Sequence, residues 1–207
     1  MSAVLGQAVG ADYFTTALEE VPLLAILRGR SPASAVAAAE ECWRAGIPLV
    51  EVSLSGKDGL DALEAVCRRG RELGRAAGAG TVLTRVEIGA AADAGAAFAV
   101  APGLAEDAVA AAQELGLPYL PGVATPSEVQ RACSLDCRTL KLFPAATLSV
   151  DWLRALAGPF PSVRFVAVGG VHAGNAREWL EAGAVGLGVG SALEGEALPQ
   201  LVAAVGR

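Results

Sequence analysis

The chain has 207 residues, of which 53% are hydrophobic and 18% are charged, with a net charge of −6. This length suits one sizeable core and is short for two domains, and the negative charge argues against nucleic-acid binding as the main task. Every apolar run approaching the ~18 residues of a membrane span is interrupted by a charge or a turn signal, so we expect no membrane partner. Residues 1–11 are mildly apolar without a basic leader, which argues against a signal peptide and favours a cytoplasmic location.

Short apolar segments alternate with Ala-rich helical segments from end to end. An additional helix, about Ala11 to Glu20, is predicted to precede the first strand. The step between strands is roughly 20–28 residues, the size of one strand–helix unit. The predicted strands are Pro22–Leu27, Leu49–Leu54, Ala76–Val82, Phe98–Ala101, Tyr119–Val123, Leu140–Phe143, Arg164–Val168 and Val185–Val189.

The predicted helices carry start and stop signals. Ser31 is an N-cap followed by proline in the first turn, and the Thr84–Glu87 and Thr125–Glu128 segments both fit a capping box. Glycines then end the helices, as C-terminal caps do. These glycines are Gly46, Gly74, Gly95, Gly116 and Gly183.

Eight strand–helix units without a linker predict a single (β/α)8 barrel over residues 1–207, with one extra N-terminal helix. The alternative is an open doubly wound sheet, but no GxGxxG motif follows the first strand. In a barrel the active site lies at the carboxyl ends of the strands. The residues at those ends are therefore the candidates for function.

Lys141 lies in the middle of an apolar strand, on the same face as Phe143. Burying an ammonium group is costly, yet Lys57 and Lys141 are the only lysines among sixteen basic residues. Unlike Arg, Lys becomes a neutral nucleophile once desolvation lowers its pKa, which suits imine formation with a carbonyl substrate. The alternative is a lysine that extends to the strand edge or pairs with a carboxylate.

Glu51, Ser53 and Ser55 alternate with apolar residues along the second predicted strand. The apolar face of this strand must pack against helices, so the polar face is predicted to line the barrel interior. A carboxylate in that position indicates a catalytic role or a partner for the lysine.

Other strand ends are rich in glycine. The third strand ends at Gly80-Thr81, where the hydroxyl can donate to a carboxylate, unless the glycines only permit tight packing. Gly169-Gly170 and Gly190-Ser191 follow the seventh and eighth strands, where such barrels commonly bind phosphate through backbone N–H groups. Arg28 ends the first strand as either a ligand for an anionic substrate or a solvated rim charge.

The remaining reactive residue types are few. His172 is the only histidine, so we predict no multi-histidine zinc site, and we place it in a loop. The cysteines do not form a disulfide-dense pattern, and the pair four residues apart is interpreted as reduced packing residues rather than metal ligands. They are Cys42, Cys67, Cys133 and Cys137.

Eight short motifs follow one another along nearly the whole chain. They are ILRG (26–29), VEVSLS (50–55), GAGTV (78–82), APG (101–103), PGVATPSE (121–128), LKLFP (140–144), VGG (168–170) and GVGSAL (188–193). In this order they resemble the 2-keto-3-deoxy-6-phosphogluconate (KDPG) and 6-phosphogalactonate aldolases, a group that includes 4-hydroxy-2-oxoglutarate (KHG) aldolase. The resemblance implies a class I aldolase barrel, usually a homotrimer, that needs no metal and no cofactor.

The resemblance also implies roles for individual residues. Lys141 matches the imine-forming lysine and Glu51 the single general acid/base. Thr81 matches a residue that holds the pyruvate carboxylate. The remaining matches line the pyruvate pocket and its rim (Phe143, Pro102) or hold phosphate (Gly169, Gly170, Gly190, Ser191).

Two positions depart from the gluconate-specific pattern. Many gluconate-specific members have Arg four residues after the catalytic Glu, where this chain has Ser55, and Arg28 would then supply the carboxylate-binding cation. Many also have Thr before the Gly-Gly pair, where this chain has Val168 like galactonate-type members. The preferred epimer is therefore left open.

The expected reaction is reversible cleavage of a 2-keto-3-deoxy-6-phospho sugar acid to pyruvate and an aldehyde, and 4-hydroxy-2-oxoglutarate is left open as a further substrate. Two alternatives stand beside it. One is a phosphate-binding barrel isomerase in which Lys141 and Glu51 act as an acid/base pair without a covalent step. The other is a barrel that serves only in binding, although an idle buried Lys–Glu pair brings no stability that apolar residues would not.

Overall fold

The computed structural model describes residues 13–193 and 197–206, and within them a ring of parallel strands is surrounded by helices. The strands are β1 (Leu23–Leu27), β2 (Leu49–Ser53), β3 (Ala76–Gly80), β4 (Ala99–Val100), β5 (Tyr119–Leu120), β6 (Gly122–Val123), β7 (Thr139–Leu142), β8 (Arg164–Val168) and β9 (Gly186–Val189). The helices are α1 (Tyr13–Ala17), α2 (Pro32–Arg44), α3 (Gly59–Leu73), α4 (Arg85–Asp93), α5 (Glu106–Leu115), α6 (Pro126–Ser134), α7 (Ala145–Leu148), α8 (Val150–Ala157), α9 (Ala176–Glu181) and α10 (Ala197–Val205). None of these helices is long and apolar enough to cross a membrane.

The ring closes through β5 and β6, which are two halves of one barrel strand. The observed order is β5-β4-β3-β2-β1-β9-β8-β7-β6. Proline has no N–H to donate, and Pro121 separates β5, which pairs with β4, from β6, which pairs with β7. The Pro121 carbonyl still accepts from the Lys141 N–H at 2.9 Å. The predicted (β/α)8 barrel is thus confirmed, and its fifth strand is interrupted at Pro121 into β5 and β6.

Alternation along the strands separates two apolar layers. Leu140 and Leu142 of β7 belong to the outer layer, between the strands and the helices. The inner layer fills the barrel interior, with side chains that include Leu24, Phe98 and Val166. The period of two therefore puts Lys141, between the two outward leucines, into the interior, as predicted.

Helix α1 closes the amino end of the barrel. Phe14 is fully buried and meets the ring of Phe98 edge-to-face at a centroid distance of 5.6 Å. Leu18 packs where Gly186 begins β9, and a Cβ at that glycine would lie 2.5 Å from it. The extra N-terminal helix is therefore present, but it ends at Ala17 rather than Glu20, and its predicted start at residues 11–12 lies outside the described residues. The barrel interior is therefore accessible from the carboxyl ends of the strands.

The predicted helix ends are confirmed. Thr84 and Thr125 form capping boxes with Glu87 and Glu128, and Ser31 caps α2. The five glycines predicted to end helices all adopt positive φ, a conformation that glycine reaches without steric cost. They are Gly46, Gly74, Gly95, Gly116 and Gly183.

Gly122→Ala is expected to destabilise the barrel. A Cβ at Gly122 would overlap the backbone carbonyl of Pro102, which cannot rotate away as a side chain would. Overpacking of this kind costs about 1–3 kcal/mol. Gly89→Ala in α4 is the matched control, since its Cβ would enter open space and a helical Ala gains about 0.5–1 kcal/mol over Gly. Urea unfolding measures both, and a Gly122→Ala variant as stable as the wild type would contradict the close approach.

Candidate active site

A pocket of about 700 Å³ opens at the carboxyl ends of the strands. Nearly all the candidate site residues identified from the sequence line this pocket. They are Arg28, Thr81, Pro102, Lys141, Phe143, Gly169, Gly170, Gly190 and Ser191. Glu51 is not part of this wall; it lies buried in the barrel on the neighbouring strand β2.

Lys141 reaches the pocket from inside the barrel. Its side chain is 5% exposed, and Nζ lies 5.2 Å from the centroid of the Phe143 ring. In the sheet, Lys141 pairs in register with Gly122 of β6 on one side and with Val166 of β8 on the other. The glycine allows the Pro102 backbone to approach this strand closely, and the valine gives the lysine an apolar neighbour. Burial lowers the pKa of Lys141, and the nearby charge of Arg28 lowers it further, although the Glu51 carboxylate opposes both.

Glu51 is a buried carboxyl group with one oxygen that has no partner. It is 2% exposed, and its Oε2 has no hydrogen-bond partner in the described part of the chain. Gly80 makes room for it, because a Cβ there would lie 2.6 Å from Oε1. Burial raises the pKa of Glu51 to about 7, against the lowering influence of Lys141 and Arg28. A buried polar atom without a partner is rare in folded proteins and marks a place where function is expected.

Lys141 and Glu51 interact electrostatically across a gap, with no direct hydrogen bond contributing to either pKa. Each group's burial disfavours its own charge, while each charge favours the other. The outcome is an amine that loses its proton more readily than a free lysine and a carboxyl group that titrates near neutral pH. These are the properties of a nucleophilic amine and of a general acid/base.

The loop after β8 lines the pocket and contains two backbone N–H groups without a protein acceptor in the described residues. Gly169 and Gly170 have φ values of +100° and +77°, and in the described chain the N–H groups of Gly170 and Val171 donate to no protein acceptor. The Gly169 carbonyl is fixed by the N–H of Ala146 at 2.9 Å. Unpaired N–H groups of this kind suit an anionic ligand.

Asn175 stabilises this loop through two hydrogen bonds. The sequence analysis did not identify this residue. Its Nδ2 donates to the Gly170 carbonyl at 3.0 Å, and its Oδ1 accepts from the His172 N–H at 2.9 Å. His172 is in the loop, as predicted, and its Nδ1 accepts from the Gly174 N–H at 3.1 Å. The available signal was an Asn shortly after a Gly-Gly pair, since Asn side chains readily bond nearby backbone in turns. Among the described residues, no three His, Cys, Asp or Glu side chains are grouped to hold a metal ion.

Comparison with known proteins decides the family. The model of the KDPG and KHG aldolase family matches residues 14–200. The chain belongs to this family. This aldolase is therefore a lyase. The resemblance to the KDPG and KHG aldolases that its sequence motifs indicated is confirmed.

Individual relatives agree with the family match. The KHG/KDPG aldolase of Escherichia coli (strain K12) is 35% identical over 160 residues, which are 77% of this chain and 74% of that protein. The 2-dehydro-3-deoxy-6-phosphogalactonate aldolase of the same strain is 33% identical over 175 residues, 84% and 85% of the two chains. A crystal structure of the KDPG aldolase from Legionella pneumophila, with pyruvate captured at low pH as a covalent carbinolamine intermediate, is 27% identical, with a TM-score of 0.82 over 94% of this chain and 98% of that one.

Glu51→Gln is expected to remove a pH-dependent loss of stability. The carboxyl group titrates at about 7 in the folded aldolase, against an ordinary value of 4.5. The folded state therefore binds the proton more tightly than the unfolded chain does. The stability from this binding is complete below pH 4.5 and is lost as the pH rises through 7.

The free energy of unfolding, measured in urea between pH 4.5 and 8, tests this expectation. Relative to the wild type, the Gln variant should gain up to about 3 kcal/mol over that range, from 1.36 kcal/mol per pKa unit. Glu41→Gln, which removes an exposed carboxylate on α2, is the matched control and should follow the wild type. A Glu51→Gln variant with the pH dependence of the wild type would show that Glu51 is not desolvated.

Proposed function

We propose that this aldolase reversibly cleaves a 2-keto-3-deoxy-6-phospho sugar acid to pyruvate and glyceraldehyde 3-phosphate. The observation that carries the proposal is the burial of Lys141 at the pocket wall and of Glu51 on the neighbouring strand β2, which moves both pKa values toward neutrality. The same chemistry applied to 4-hydroxy-2-oxoglutarate would give pyruvate and glyoxylate. The names of the two Escherichia coli relatives support these substrates.

In the proposed reaction, the covalent steps belong to Lys141. The neutral amine attacks the keto carbon to give a carbinolamine, and loss of water then gives a protonated imine. When the carbon–carbon bond beside the hydroxyl breaks, its electron pair moves into the imine and leaves an enamine. The carbinolamine captured in the Legionella pneumophila relative supports the first of these steps.

The proton transfers are assigned to Glu51. As a carboxylate it takes the proton of the hydroxyl at the bond to be broken, directly or through a water in the gap beside Lys141. It then returns this proton to the enamine carbon, and hydrolysis of the imine releases pyruvate. A general acid/base works best when its pKa lies near the working pH, and burial brings Glu51 to about 7.

The remaining pocket residues bind the two ends of the substrate in this proposal. Arg28 and Thr81 hold the carboxylate, and Phe143 and Pro102 line the space around the imine. The phosphate lies on the far side of the pocket, against the backbone N–H groups of the glycine-rich loops after β8 and β9. The residues assigned to it are Gly169, Gly170, Gly190 and Ser191.

Borohydride added with pyruvate is expected to fix one pyruvyl-derived mass at Lys141. Reduction traps an imine, and the desolvated amine is the group able to form it. Lys57, which is exposed, provides an internal control within the same peptide map. Lys141→Arg should abolish labelling and turnover, because Arg keeps the charge but cannot become a nucleophile.

Two outcomes of this experiment oppose the proposal. Labelling at Lys57 instead of Lys141 would remove Lys141 from the mechanism. Turnover without any labelling would favour the isomerase, in which Lys141 and Glu51 act without a covalent step.

Specificity between the epimers is assigned to Val168, which is buried in the inner layer and faces the pocket. A site that hydrogen-bonds one hydroxyl epimer rejects the other strongly, since a buried polar group would be left unpaired. An apolar valine imposes no such penalty. We therefore expect either a preference for the galactonate compound or discrimination below about tenfold, which is ~1.4 kcal/mol.

Val168→Thr should shift the ratio of kcat/KM values toward the gluconate epimer. Val166→Thr is the matched control, because Val166 also faces inward on β8 but lies outside the pocket wall. A wild type that already prefers the gluconate compound by several hundredfold would show that position 168 does not carry the discrimination.

The proposed assembly is a homotrimer, and the proposed location is the cytoplasm, both in line with the sequence-based expectation. Two apolar side chains near the start of α4 support association, since Leu83 is 47% exposed and Val86 is 80% exposed. Sedimentation equilibrium should give three times the chain mass of 20.8 kDa. Val86→Asp should weaken the association if this surface takes part, and a wild-type monomer would contradict the assembly.

A further inference from the structure

Three hydroxyl groups form a continuous chain at the ends of β2 and β3. Ser53 Oγ lies 2.8 Å from Ser55 Oγ and 2.9 Å from Thr81 Oγ1. Ser53 is the middle member and is 2% exposed, and its oxygen also accepts from the Ser55 N–H at 3.3 Å. Its two neighbours, Ser55 and Thr81, both line the active-site pocket.

The number of hydroxyl hydrogens shows which of the three groups can donate to a ligand. Each hydroxyl carries one hydrogen, and the two bonds along the chain use two of the three. Ser53 Oγ already accepts from the Ser55 N–H, so one lone pair is left, and Ser53 accepts from one end hydroxyl and donates to the other. If the hydroxyl chain runs from Ser55 through Ser53 to Thr81, the spare hydrogen is on Thr81; in the opposite direction it is on Ser55. Neither end hydroxyl has another protein partner among the described residues. The spare donor therefore belongs to a group that lines the pocket in either direction.

The backbone of Thr81 is held in an uncommon conformation that favours this contact. Its φ is +60°, in the left-handed region, which is unusual for a β-branched residue and costs of order 1–3 kcal/mol. The next residue is fixed from both sides, because the Val82 N–H donates to Val100 and the Val82 carbonyl accepts from the Tyr119 hydroxyl at 3.1 Å. Strain of this kind persists where the surrounding structure fixes it, and it is common at binding sites.

We propose that Ser53 is a positioning residue that aligns the hydroxyls of Ser55 and Thr81 into a directed donor for the substrate's carboxylate. The inference rests on the proposed function, which puts that carboxylate at Thr81. With the anion bound, the chain runs from Ser55 to Ser53 to Thr81 and then to the carboxylate, and each bond polarises the next. Ser53 does not touch the substrate; it acts through Thr81.

A neutral donor has an electrostatic advantage at this place. A cation beside Glu51 lowers its pKa, as Lys141 and Arg28 already do, and so opposes the rise that burial produces. Hydroxyl groups bind a carboxylate without adding another cation. Together with Arg28, the three hydroxyl groups can thus take the place of the Arg that gluconate-type members carry at position 55, while the pKa of Glu51 stays near 7.

The test is the pyruvate concentration that half-saturates borohydride trapping at Lys141. Ser53→Ala should raise this concentration by about three- to tenfold, the net worth of a hydrogen bond between neutral groups, because Thr81 keeps its hydroxyl and loses only its orientation. The trapping rate at saturating pyruvate should change by less than about threefold. Ser53→Thr restores the hydroxyl and should bring the value back toward that of the wild type. Ser55→Ala, at an exposed position, removes only the far end of the chain and should give a smaller increase.

Methyl pyruvate separates positioning from general damage, because it keeps the ketone and lacks the carboxylate. Its half-saturating concentration should be the same in the wild type and in Ser53→Ala. An equal increase for both compounds, or no increase for pyruvate in either Ala variant, would overturn the role of Ser53 while leaving the proposed function intact. Absence of trapping in the wild type would overturn the proposed function itself, and the carboxylate site with it.

Discussion

Removal of water from Lys141 and Glu51 is the constraint on which the rest of the site depends. In water the two groups would be an ammonium and a carboxylate, which are a poor nucleophile and a weak base. Inside the barrel, desolvation lowers the pKa of the amine and raises that of the carboxyl group, while their mutual attraction limits both shifts. Separated by a gap, the two groups do not form the direct ion pair that would hold both of them charged.

The barrel supplies this environment through small residues inside the strand ring. Gly80 leaves the space that the Glu51 carboxyl group occupies, and Gly122 lets the Pro102 backbone pack closely against the strand next to Lys141. Helix α1 closes the amino end with Phe14, and the pocket that contains Lys141 opens at the carboxyl ends of the strands. The same architecture that buries the pair therefore also exposes it to a ligand from one side.

Much of this arrangement could be predicted from the sequence, because a period of two decides which side chains face inward. Lys141 and Glu51 were identified in this way, and the capping boxes and C-terminal glycines marked the helices. Other features depend on contacts between distant segments. The fifth strand divides at Pro121 because each half pairs with a different neighbour. The Ser53–Thr81 contact joins the ends of two different strands. The bonds of Asn175 are local, but they depend on a loop conformation for which the Asn after the Gly-Gly pair was the only signal.

Exchange of the pyruvate methyl protons in deuterated water, followed by NMR, tests the central claim most directly. It needs no aldehyde and reports the enamine alone, which forms only if Lys141 makes the imine and a base removes the proton. The account predicts exchange in the wild type, none in Lys141→Arg, and a loss of about 10²–10⁴-fold in Glu51→Gln, the usual contribution of a positioned acid/base. Glu51→Gln should still be trapped at Lys141 by borohydride. Exchange at the wild-type rate in Glu51→Gln would contradict the account, because another group would then move the proton.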